Sequence, residues 1–242
     1  MAFSFRRVNM NHAFAALLAT LALAAPAVSQ QTYVTRYDAY IGYAYLNSPA
    51  VKLPESGVHF QFGYRPKTWY SVGFDYTNAR GDLTLTPNLL PVDLQQRLAA
   101  QLGQLAAAGR LPAGYQLAVT ARSETQTLTA GPQLAFRHFK PVTLFVRPSL
   151  GAMREVAIPK SADPIANGIV KQLVPSGRKR DWTGYFGAGA GMDVNFNHHF
   201  AIRFQGDLVW DHLFNDLLAN GRKTVRFSIG PAFNFGRNIV EH

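Results

Sequence analysis

The chain is predicted to fold as an all-β, eight-stranded antiparallel transmembrane β-barrel with short periplasmic turns and long, partly helical extracellular loops. Three observations carry that expectation. The first is the segment Val225–Phe235, in which Val225, Phe227, Ile229, Pro231, Phe233 and Phe235 share one face while Arg226, Ser228, Gly230, Ala232 and Asn234 share the other. Such a strand meets two different solvents, and its apolar face needs either a core or lipid. The second is the start of the chain. Arg6 and Arg7 precede an apolar run from Ala13 to Ala25 and then small residues up to Ser29, which reads as a signal peptide at 1–29 ahead of a single barrel domain at 30–242. The third is that no later segment has the roughly 20 consecutive apolar residues of a membrane helix, so a chain that spans a membrane must do so as a closed barrel.

Composition narrows the chemistry. There is no cysteine, which excludes disulfides, thiolate metal sites and thiol catalysis. The chain carries 24 Lys and Arg against 14 Asp and Glu. A basic chain that is exported and has no aromatic-basic recognition motif is not expected to bind nucleic acid.

Taken in order, eight segments alternate. The first, Tyr37 to Leu46, sets Tyr37, Ala39, Ile41, Tyr43 and Tyr45 outward and Asp38, Tyr40, Gly42 and Ala44 inward. The second turns Val58, Phe60, Phe62 and Tyr64 outward, with His59, Gln61, Gly63 and Arg65 inward. The third alternates from Tyr70 to Thr77 with Asp75 inward, and the fourth from Thr127 to Arg137 with Arg137 inward. The fifth, Val142 to Gly151, places Arg147 inside, and the sixth, Trp182 to Phe196, places Asp193 inside. The seventh, Phe200 to Asp211, carries Arg203 and Asp207 on its inner face, and Val225–Phe235 with Arg226 is the eighth. Each is close to the 9–11 residues that a tilted spanning strand requires.

The connections alternate too. Those after strands two, four and six are tight, whereas residues 47 to 57, 80 to 122, 155 to 180 and 213 to 222 form long loops. That sorting is a barrel pattern and has no reason to arise in a sandwich. Within loop 80–122, Leu94, Leu98, Leu102 and Leu105 fall on one helical stripe, with Asp93 placed to cap its start and Gly109 its end. A second helix is expected after Asp163, with Ile165, Ile169, Val170 and Leu173, and a third short turn at Leu213–Leu218. The alternation at Leu83–Thr86 and Tyr115–Thr120 is out of phase with the membrane segments, which predicts a bulge at the rim. Ten strands remain open if this loop adds a membrane hairpin. Pro132, Pro148 and Pro231 lack ladder donors, and a shared local irregularity is expected at the first two.

Ser228, Gly230, Phe233 and Phe235 resemble the C-terminal signal by which outer-membrane barrels are recognised for insertion. With the signal peptide and eight strands, the chain resembles the small OmpA-like and OmpX-like outer-membrane barrels of the porin-like group. It departs from them in continuing past the terminal aromatic, through Arg237–His242. The resemblance implies the outer membrane of a diderm bacterium, neighbouring lipopolysaccharide, no cofactor and no catalytic site.

Inward parity collects Asp38, Asp75, Asp193 and Asp207 against Arg65, Arg137, Arg147, Arg203 and Arg226. Charges in a narrow barrel must pair or stay wet, so this set is either a plug or the lining of a gated pore, and the many inward glycines keep the pore open as a reading. Arg178, Lys179, Arg180, Arg222 and Lys223 lie at the expected extracellular rim, where cations can meet lipopolysaccharide phosphates. The expected function is therefore a non-enzymatic barrel acting through its loops on a surface or protein partner, as a monomer. A narrow pore for ions, water or small solutes is the alternative. A lipid-modifying enzyme using His212 beside Asp211 is weaker, since no serine is matched to that histidine.

Overall fold

The structure, a computed structural model, describes residues 31–161, 163–214 and 222–240. The signal peptide expected at 1–29 lies outside the described residues, as does most of the third short turn. Strands β1 (Thr35–Ser48), β2 (Leu53–Lys67), β3 (Tyr70–Leu85), β4 (Val119–Phe136), β5 (Val142–Lys160), β6 (Lys179–Asn195), β7 (Phe200–Asp211) and β8 (Arg222–Asn238) close into one antiparallel barrel in chain order. Helix α1 (Val92–Ala107) lies between β3 and β4, and α2 (Pro164–Leu173) between β5 and β6. The barrel closes through β1 on β8, with Tyr37 opposite Phe235 and Asn47 opposite Val225. Eight strands, not ten, make the wall.

The turns after β2, β4 and β6 are short and share one end of the barrel, here the turn end. At the last of them the Asn197 side chain accepts from the backbone N–H of both His199 and Phe200, each at 2.8 Å, which fixes the reversal. The opposite, loop end differs from expectation in two ways. Residues 47–57 are not a long loop: β1 and β2 pair out to Ser48 opposite Leu53 and are joined by a 3-10 turn at Pro49–Val51. The expected bulge in β3 and β4 is absent as well, because their register is unbroken from Tyr70 opposite Leu134 to Leu85 opposite Val119.

The phase change has another cause. Along β4 the outward residues are Phe136, Leu134, Pro132, Ala130 and Leu128, and then Gln126, Glu124 and Arg122. On β3 they change from Tyr76 to Asn78 and Arg80. Over the same stretch the inward residues change from Asp75 and Thr77 to Ala79 and Leu83, all buried. The wall continues past the rim of the bilayer, where water takes the outside and apolar packing takes the inside, so the pattern inverts without any slip in pairing.

Below that rim the exterior is an apolar belt, with Phe74, Leu128 and Leu150 each more than 60% exposed (63%, 61% and 62%). A belt of this extent around a closed barrel is a lipid-facing surface. From Phe136 to Leu128 the β4 strand rises about 27 Å along its axis, or about 21 Å at a tilt near 40°, against an apolar band of about 25 Å in such barrels. Pro132 and Pro148 are equivalent positions across the β4–β5 ladder. Pairing stops at Ala130 opposite Leu150 and resumes in the same register at Leu134 opposite Val146, which is the shared irregularity expected of two missing donors.

Candidate functional site

The bore is crossed by two ion networks. Arg203, on β7, is fully buried. Its Nε donates to Asp193 Oδ1 at 2.7 Å and its Nη2 to Asp193 Oδ2 at 2.9 Å and to Asp38 Oδ2 at 3.0 Å. Its Nη1 donates to Gln61 Oε1 at 2.9 Å, and Arg65 Nη2 lies 3.2 Å from Asp38 Oδ1. Asp193 stands directly opposite Arg203 in the ladder, so register alone delivers that pair. The guanidinium carbon also sits 5.0 Å from the Phe145 ring and 5.6 Å from the Tyr40 ring, two bulky inward groups that fill the section around it.

The second network lies toward the loop end. Asp207 is four residues beyond Arg203 on β7, about 13 Å along the strand. Arg226 stands opposite Asp207 in the ladder and reaches its Oδ2 at 2.9 Å, while its Nη1 and Nη2 donate to Asp75 at 3.0 and 3.2 Å. Arg147 Nη2 adds a contact to Asp75 Oδ2 at 2.7 Å. Each network sets two arginines against two aspartates, so the buried charge is neutralised where it is made.

His59 extends the second network, and inward parity had marked its position without assigning it a role. Its Nε2 lies 2.8 Å from Asp75 Oδ2 and its Nδ1 3.0 Å from Ser228 Oγ. Serine, histidine and aspartate thus stand in a row, but His59 is fully buried and Asp75 is also held by two arginines. A nucleophile needs access to substrate, and this row has none. The other histidine considered for catalysis, His212, is exposed, whereas Asp211 beside it is buried and accepts from Thr224 Oγ1 at 3.1 Å. Ser123 sits in the β4 wall and donates to Glu155 Oε1 at 2.8 Å.

The inward glycines do not empty the bore. A methyl group at Gly63 would stand 2.2 Å from Asp38 Oδ1, at Gly189 2.0 Å from Asp207 Oδ1, and at Gly191 2.3 Å from the Phe145 ring. They are the seats into which the network residues and Phe145 lean. Arg137 stands at the edge of the first charge network, close enough to Asp38 and Asp193 to act on them through space. It lies at the turn end, where it donates to Thr68 O at 2.8 Å, Thr143 Oγ1 at 3.1 Å and Gln31 Oε1 at 3.2 Å. It follows the last residue of β4, so its direct hydrogen bonds go to neutral groups at the mouth, while Arg65 and Arg203 make the ion contacts to Asp38. Gln31 in turn donates to Phe139 O and Thr143 Oγ1, which tethers the segment before β1 across the turn end.

Above the second network an apolar layer closes the loop end: Val51, Leu53, Leu83, Ala121, Met153, Tyr185, Val209, Leu213 and Phe214 pack together. A second cluster, built from Leu98, Leu117, Val119, Ala166 and Ile169, joins α1 and α2 into a dome above it. The leucine stripe predicted for α1 is the face used, with Leu98 buried. Asp93 does not cap that helix; the cap position is Pro91 and Asp93 lies in the first turn, where its charge suits the helix dipole. Gly109 follows the C-terminus at φ 64°, as expected of a left-handed stop.

Asp163 caps α2 by accepting from Ile165 N at 3.0 Å, and the Tyr115 hydroxyl donates to its other oxygen. Burial, then this contact, pushes the Tyr115 hydroxyl up to about 12, while the same hydrogen bond, with the helix N–H groups, holds the Asp163 carboxyl below its ordinary range. Gln101 Nε2 donates to Gln172 Oε1 at 3.1 Å and ties the two helices.

The rim cations divide. Arg178 and Arg180 are exposed at the start of β6, and Lys223 is exposed on β8 opposite Trp210. Arg222 opens β8 opposite Asp211. Lys179 does not join the exposed collar: it is half-buried and turned toward the dome, because its parity is inward. Among the described residues no group of three or more metal-ligating side chains occurs.

The closed antiparallel wall and its lipid-facing belt define the class: this chain has the fold of the small eight-stranded outer-membrane barrels. No protein-family model and no curated protein matches it. Among solved structures it is similar to Ail, the attachment invasion locus protein of Yersinia pestis, in complex with the heparin analogue sucrose octasulfate, at 18% identity over 84% of this chain and 99% of that one, with a TM-score of 0.48. It is also similar to Neisserial surface protein A, at 11% identity over 82% and 96% with a TM-score of 0.49, and to OprG of Pseudomonas aeruginosa, at 10% identity over 86% and 99% with a TM-score of 0.46. At these identities the likeness is one of fold.

Proposed function

We propose that this protein is a plugged, non-enzymatic outer-membrane barrel whose working part is the dome at its loop end, which meets a surface, lipopolysaccharide or a protein partner. The observation that carries the reading is the pair of neutralised networks set about 13 Å apart along β7, with Arg203 and Arg226 both buried in the bore. An eight-stranded barrel is just wide enough for side chains to fill. A wet path would have to pass both networks and then the apolar layer around Leu83 and Phe214.

The exposed Arg178, Arg180 and Lys223 support a role for the rim in holding phosphate groups of the neighbouring leaflet. Planar-bilayer recording of the refolded protein, its folding checked by heat-modifiable gel mobility, tests the reading. Silence is expected from the wild type and from Arg203→Ala alone, since Arg226 and the apolar layer around Leu83 and Phe214 still close the bore. Discrete salt-dependent steps from folded wild type would replace this reading with the pore.

A further inference from the structure

Between the two apolar clusters at the loop end lies a partly open cavity of about 100 Å³. Its floor includes Leu83, Ala121 and Phe214, and its roof Leu98, Val119 and Ile169. All lining residues are apolar except Thr86, Glu155 and Lys179, and the Glu155 carboxylate already accepts from Ser123.

Well-packed interiors leave few voids larger than a water molecule, and a water needs two to four polar partners to occupy one. An apolar void of roughly 150 Å³ stays dry and takes up benzene or xenon. One wall residue is also held in a costly conformation: Phe214 has φ 53°, a left-handed backbone rarely adopted by a bulky residue, and its N–H is fixed by Asp181. The walls come from β3, β4, β5, β6, α1, α2 and the segment after β7, so the cavity is a meeting place of separate elements and not a gap within one.

We propose that this cavity is a binding site for a small uncharged hydrocarbon, between xenon and a short alkane in size, recognised by shape and apolarity. It is independent of whether the dome also meets a surface partner.

The test is methyl NMR of the refolded chain in lipid nanodiscs under increasing xenon pressure. Methyl signals of Leu83, Leu98, Val119 and Ile169 are expected to shift saturably, while those of lipid-facing Leu128 and Leu150 drift linearly as xenon partitions into the bilayer. Ala121→Phe, which fills the cavity from the wall, should abolish the saturable response; Ala157→Leu serves the same purpose if that variant fails to fold. The proposal is overturned if folded wild type gives no saturable shift at the cavity methyls, or if the shift persists unchanged in a folded, filled variant.

Discussion

Replacing Arg203 by Met keeps most of the volume in the bore and removes the charge. In the wild type this side chain makes four hydrogen bonds, three of them to carboxylate oxygens. Hydrogen bonds to charged groups are worth about 1.5–3 kcal/mol each, but the loss is smaller than their sum because the partners redistribute. Asp38 keeps Arg65 at 3.2 Å, whereas Asp193 loses both bonds it receives from Arg203. The cost should therefore fall near the roughly 3–5 kcal/mol of a broken buried pair, most of it the uncompensated charge on Asp193.

The assay is urea unfolding in phospholipid vesicles, followed by intrinsic fluorescence and gel mobility. If the uncompensated charge is the cause, adding Asp193→Asn to Arg203→Met should return about 1–3 kcal/mol, the desolvation cost of a buried polar group relieved of its charge. A loss below about 1 kcal/mol for the single variant, or a companion substitution that makes matters worse, would refute the reasoning.

Other expectations concern the seats and the dome. Gly191→Ala should destabilise by about 1–3 kcal/mol, since its methyl would press on Phe145 and on Phe204 O at 2.6 Å, while Gly103→Ala on α1 meets nothing within 4 Å and should stabilise by about 0.5–1 kcal/mol; parallel urea titrations compare them. The Tyr115–Asp163 tie should be intact from about pH 5 to pH 9. The depressed Asp163 acid contributes above its ordinary range near 4 and that contribution is lost as pH falls, whereas the raised Tyr115 hydroxyl contributes below about 10 and is lost as pH rises toward 12. Methyl signals of Ile165 and Ile169 should report both transitions, and Tyr115→Phe should remove the alkaline one. Substituting Arg178, Arg180 and Lys223 together by Ser should lower the lipopolysaccharide retained per folded barrel through purification, at about 1 kcal/mol per charge and less at high salt.

The strands were legible because each face of a spanning segment meets one solvent, so parity alone placed Asp38, Asp193, Arg203 and Arg226 inside. Which carboxylate each arginine meets was not legible. Arg203 finds Asp193 across one ladder, but Arg226 reaches Asp75 across the bore, and that depends on tilt and closure. Parity also misled where the solvent changed: Leu83 and Val119 read as a phase slip, although pairing there is continuous. Arg137 and Lys179 kept their inward parity but sit beyond the ends of the charged bore, one at the mouth and one beside the dome. The leucine stripe of α1 and the apolar face of α2 around Ile169 were both visible as patterns; which side chains meet between them was not, because contacts between loops leave no periodic trace.

The inversion of polarity along the wall makes each strand a depth gauge. Tyr76 to Asn78 on β3, Leu128 to Gln126 on β4 and Ala152 to Arg154 on β5 mark one contour around the barrel, pinned by Arg154 over the Trp182 ring at 5.6 Å. Above that line apolar side chains such as Leu83 and Met153 gather inside while Arg80 and Arg122 point outward; below it the outside is apolar and the arginines and aspartates lie in the bore. The protein is thus fitted to a membrane of one thickness, and a thicker one would have to thin around it or draw the polar row of Asn78, Gln126 and Arg154 into oil.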